Sequence, residues 1–180
     1  MLKKCKIFKL FLTATNINIA SYEIGNTSMS HFSQVQDLLL HNQQLHARTA
    51  SFYDELSDEA DGERVKMFLN TLVKHETQLS NSMQSYVKKA PAKILNTFFQ
   101  FDHERSIENL FTIEFDRSQI SSDDVEVLAN RFDEYFCELY EEMLVTVDCV
   151  VVQELFENLH LNMVEEKKRL SIDIYSMMDM

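Results

Sequence analysis

Glycine occurs only twice in these 180 residues, proline once and tryptophan not at all. Sheets need frequent turns, and turns lean on glycine and proline, so this scarcity points to long helices with few connections. Two glycines could hardly build a P-loop, a glycine-rich dinucleotide turn or a G-x-S-x-G elbow, and the chain contains none of these motifs. The three cysteines, Cys5, Cys137 and Cys149, are odd in number and show no C-x-x-C spacing. That argues against a disulfide framework and for a reduced, cytoplasmic setting. Basic residues are also short: 17 Lys and Arg face 29 Asp and Glu, for a net charge of -12. Such a surface repels phosphate backbones and anionic lipid, so neither nucleic acid nor a membrane is expected as a partner.

What is present is enough apolar residue, 45%, to bury one domain's core. The start, MLKKCKIFKLFLTATNINIA, stands apart, with four lysines and one glutamate in residues 1–28. Its basic opening and short apolar run have the look of a weak secretory signal, but Lys9 breaks the run and no small-x-small cleavage site ends it. We read residues 1–28 as an extension, disordered or arising from an upstream start, and residues 29–180 as a single helical domain.

Helical periodicity then dominates. One segment runs from about Ser30 to Ala60 with Val35, Leu38, Leu39, Leu45, Phe52, Tyr53 and Leu56 on one stripe, and Asp61-Gly62 ends it. A second runs from Gly62 to Ala90, stopped by Pro91, and AKILNTFFQF reads as a short extra helix after that proline. Residues 102–120 lack strong periodicity, and SSDD at 121–124 offers a helix N-cap. The third segment reaches about Asp148 and the fourth spans Val150 to Asp173. A break at Asp148-Cys149 is preferred to one helix of fifty residues, which is rare in a compact domain. The expected fold is all-α: a four-helix up-down bundle with one long crossover.

The polar residues inside the stripes carry the functional question. At about 100° per residue, Glu76 in LVKHETQLS falls near the centre of its stripe. Asn42 and Thr49 lie near the centre of the first stripe with His46 on its flank, Glu166 is at the edge of the fourth, and the third has no inward carboxylate. His75 points off its stripe, to the surface or its boundary. Buried alone, Glu76 would be costly, so Asn42, Thr49 or Tyr53 is expected to bond it within a polar layer, or His46 to pair with it. The phenylalanines of NTFFQFDHE and ENLFTIEF are expected to cap an open end of the bundle, or else to offer an apolar patch.

The run FYDELSDEADGERVKMFLNTLVKHETQLSNSM resembles the first helix pair of the rubrerythrin and ferritin-like superfamily, and ELFENLHLNMVEEKKRLS is similar to its last helix. The resemblance implies a ferritin-like bundle in which Glu-x-x-His motifs and further glutamates converge on two iron or manganese ions. Here Glu76 matches one motif glutamate, but its histidine position is Leu79. On the last helix the two positions hold Met163 and Glu166, and the first-helix glutamate position holds His46. His46, Glu76 and Glu166, with His75 or Glu138, could hold a single iron or manganese at most. The expectation is therefore a degenerate site with no cofactor, in a non-enzymatic protein acting through a protein partner or self-association. The alternative is a ferritin-like metalloprotein for oxidation, peroxide removal or storage.

Overall fold

The computed structural model describes residues 30–103 and 107–178, so the expected extension 1–28 lies outside the described residues. Among those described the protein is all-α with little sheet. Four long helices, α1 (Val35–Glu59), α2 (Glu63–Lys89), α4 (Ser122–Thr146) and α5 (Val150–Met178), are accompanied by a single turn of helix, α3 (Ala92–Leu95), two strands and two 3-10 turns. The strands are β1 (Ser30–Gln34) and β2 (Phe98–His103), antiparallel with Ser30 opposite His103 and Gln34 opposite Phe98.

Two boundaries differ from the sequence reading. The first helix begins at Val35 rather than Ser30, because Ser30–Gln34 finds backbone partners in β2 and Asp37 Oδ2 accepts from Gln34 N at 3.0 Å, which starts the helix there. The helix after Pro91 stops at Leu95, and after Asn96 and Thr97 the run FFQF opens β2 instead. Its aromatic residues suit a half-buried strand: Phe99 and Phe101 enter the core while Phe98 stays 73% exposed. The break at residues 147–149 between α4 and α5 is present.

Side-chain pairs give the helix directions. Ser57 with Asn70, His46 with Glu76 and Gln43 with Ser80 run α1 against α2. Glu134 with Lys167 and Glu141 with His160 run α4 against α5. The connection from α2 to α4 tracks along α1. Val35 N donates to Thr97 O, Arg48 donates two bonds to Glu108, Arg117 bonds Glu59, and Asp61 N donates to Ser118 O. The Arg48 guanidinium also lies 3.9 Å over the Phe111 ring, whose edges meet Phe52 and Phe132. Phe111 thus seals the flank between α1 and α4 rather than an end of the molecule, which corrects the expected capping role at that position.

Helix α4 starts where the sequence places it. Ser121 Oγ accepts from Asp124 N, and Asp124 Oδ2 accepts from Ser121 N at 2.9 Å, so each residue covers the other's free backbone donor. The Ser121 hydroxyl, which donates to Asp124 Oδ2 at 2.6 Å, and then the Ser121 backbone N–H hold the Asp124 carboxyl below its ordinary range. Ser121→Ala should destabilise the fold by about 1 kcal/mol in urea unfolding, with an unchanged slope. No described helix is long and apolar enough to cross a membrane.

Candidate functional site

Midway along the helices the apolar core is interrupted by a polar layer. The spacing of α1 puts Asn42, His46, Thr49 and Tyr53 on one face, and all four are buried. From α2, Glu76 enters the same level at 4% exposure. His46 Nδ1 and Glu76 Oε2 are 2.7 Å apart, and the imidazole stacks on Phe136 of α4 with ring centroids 4.0 Å apart. One turn along, Asn42 Nδ2 donates to Tyr140 Oη at 3.2 Å, and His41 bonds Tyr135 at the same distance. The layer therefore ties α1 to α2 by one bond and to α4 by two. Tyr140 is fully buried, and burial holds its phenol well above the ordinary range. Tyr140→Phe leaves Asn42 unpaired and should cost about 1–3 kcal/mol, read by chemical unfolding.

Of the partners expected for Glu76, His46 is the one the structure supplies. It is buried outright, not on a flank, because α4 packs Phe136 against its ring. Asn42 turns to Tyr140 instead, and the Thr49 hydroxyl is buried without a hydrogen-bond partner, as are Asn42 Oδ1 and His46 Nε2. Tyr53 lies in the field of Glu76: burial first, then the Glu76 and Asp133 carboxylates, push its phenol well above the ordinary range.

The sequence reading groups Glu166 of α5 with His46 and Glu76. Its carboxylate is instead engaged by Arg169 at 2.6 Å and approached by His75 Nδ1 at 3.6 Å. His75 sits at the boundary, as its position off the stripe implies, and burial lowers its pKa. Leu79 packs half-buried against the core and Met163 is 4% exposed, so both hydrocarbon-bearing positions face inward. Among the described residues no three His, Cys, Asp or Glu side chains are grouped so as to hold a metal ion.

Helix α4 overturns one expectation. It does carry an inward carboxylate: Asp133 is 6% exposed. Burial, then the nearby Glu76 charge, raises its pKa to about 7, with Glu134 and Glu166 adding to the rise and Lys167 opposing it. A single-stripe reading centred on Leu128, Phe132 and Tyr135 misses it, because α4 is buried over two stripes. The signal was available in Tyr140, one heptad on from Asp133 and so on nearly the same face. Cys137, one turn from Asp133, is half-buried, and burial pushes its thiol up to about 11, away from the reactive thiolate. Each long helix thus contributes an ionisable group to the layer or its margin: His46, Glu76 with His75, Asp133, and Glu166. No protein-family model, curated protein or solved structure matches this chain.

Proposed function

We propose that the protein is a non-enzymatic, ferritin-like four-helix bundle of the cytoplasm whose interior layer is structural, and that it acts through contacts with other proteins. The observation that carries this reading is the His46–Glu76 bond, closed at 2.7 Å beneath a stacked Phe136 ring. Both residues that the family would turn toward metal are spent on each other. The bundle itself is supported by the helix directions and by a connection that follows α1 from end to end, which is what a single long crossover requires.

The residues present do not fit a di-metal centre. Two divalent ions need several carboxylates to balance their charge and imidazoles to complete coordination. Leu79 and Met163 supply neither, and the Glu166 carboxylate is held by Arg169. One observation favours a second reading, a single iron or manganese ion. His46 Nε2 is buried and unpartnered, and Asp133 adds a carboxylate at the same level. Elemental analysis of untagged protein grown with iron and manganese separates the two readings. The first expects no stoichiometric metal in wild type or in Glu76→Ala. One or two metals per chain, lost in the variant, would overturn it.

A further inference from the structure

Helix α5 changes character along its length. From residue 132 to residue 166 the chain has ten Asp and Glu and not one Lys or Arg, so most of the net charge of -12 resides in this stretch. It covers the second half of α4, the turn, and α5 up to the abrupt Lys167-Lys168-Arg169. Elsewhere the charges mix: α2 alone carries Arg64, Lys66, Lys74, Lys88 and Lys89. On the acidic half of α5, Val152, Phe156, Leu159 and Met163 face the core. The opposite face reads Val150, Glu154, Glu157, Leu161, Glu165, in steps of three and four that stack them along one side. Val150 is 64% exposed and Leu161 53%, and Val145 at 87% and Val151 at 51% lie close to Val150 in sequence, on either side of the turn. A face needed only for solubility would carry mixed charge and few branched apolar residues.

We propose that this outer face of α5, with the α4–α5 turn, docks a basic amphipathic helix of another protein. The proposal rests on the protein-contact reading above and names the partner's chemistry. Val150 and Leu161 lie three turns apart, about 16 Å, a span over which a partner helix presents apolar residues at steps of three and four. The glutamates between and beside them call for lysine or arginine flanking that apolar stripe, which sets register and speeds encounter. A second copy of this chain would bring the same carboxylates against them and is repelled, as are phosphate-bearing partners.

The test uses the full chain and a synthetic helical peptide of leucine and lysine, labelled and followed by fluorescence anisotropy at low salt. The double variant Glu157→Gln/Leu161→Gln should weaken binding at least about tenfold, while Asp54→Asn/Glu55→Gln, which removes two exposed charges from α1, should change it less than about twofold. All four positions are exposed, so folding is not at issue. Equal weakening by both variants, or no saturable binding, overturns the proposal. Two other occupants would also overturn it. If replacing Lys3, Lys4, Lys6 and Lys9 with serine tightens peptide binding, the chain's own first residues hold the face. If sedimentation shows a dimer that Leu161→Gln dissolves, a second copy does. Metal found in the interior would sink the reading of the previous subsection yet leave peptide binding intact. Lost peptide binding without metal would move the contact to another face.

Discussion

Glu76→Ala should destabilise the protein by about 3–5 kcal/mol. The residue is 4% exposed and its only described hydrogen bond is to His46 Nδ1. His46 Nε2 is already without a partner, so truncation leaves an imidazole with both nitrogens buried and unpaired. His46→Ala should cost as much or more, since it also removes the ring from Phe136. Replacing both at once, His46→Leu/Glu76→Leu, removes the unpaired groups along with the bond and refills the volume. Such exchanges of a buried polar pair for packed hydrocarbon are neutral or stabilising by about 1–4 kcal/mol. The singles and the double together form a cycle whose coupling term should be large. Urea unfolding reads all three. Additive losses in the double variant would mean that the two residues do not act as a pair.

Asp133→Asn should raise stability at neutral pH and flatten its pH dependence. In the folded chain Asp133 keeps its proton up to about pH 7, whereas the unfolded chain releases it near the ordinary carboxylate value of 3.8. Between those values folding takes up a proton, so this group's contribution falls as pH rises from about 4 to 7 and is level above that. The full swing is on the order of 4 kcal/mol at 1.36 kcal/mol per unit. Asparagine has no proton to lose and keeps the shape. His75 acts with the opposite sign: its lowered pKa removes stability as the solution is acidified below the ordinary histidine value. That slope should persist in the variant, so the difference between wild type and Asp133→Asn isolates the aspartate. A difference that does not change between pH 4 and 8 would contradict the burial of its charge.

Helical periodicity carried most of the fold because each long helix here buries a stripe, and stripes can be read from spacing alone. The α4 start was legible for a local reason: Ser121 and Asp124 stand three apart and cap each other. What periodicity cannot see is pairing over distance. Ser30–Gln34 becomes a strand only because β2 arrives some seventy positions later to bond it. Arg48 gives no hint in sequence that it will clasp Glu108 and lie on Phe111.

The polar layer was legible in the same measure. Glu76, Asn42, Thr49 and Tyr53 are buried as their positions on the stripes require. Their partners were not, since those depend on how the helices rotate against each other. His46 moves from flank to core because Phe136 covers it, and Asn42 is drawn to Tyr140 and not to Glu76. Asp133 escapes a single-stripe reading because α4 is buried over two stripes.

The most direct measurement of whether the interior is structural is thermal unfolding of wild type and His46→Leu/Glu76→Leu, each with a chelator and with excess manganese or ferrous iron. A metal that binds only the folded state adds about 4 kcal/mol at a thousandfold excess over its dissociation constant. A structural layer gives the wild type the same midpoint with and without metal, and leaves the double variant at least as stable as the wild type. A midpoint that climbs with metal in the wild type alone, or a double variant that fails to fold, would contradict it.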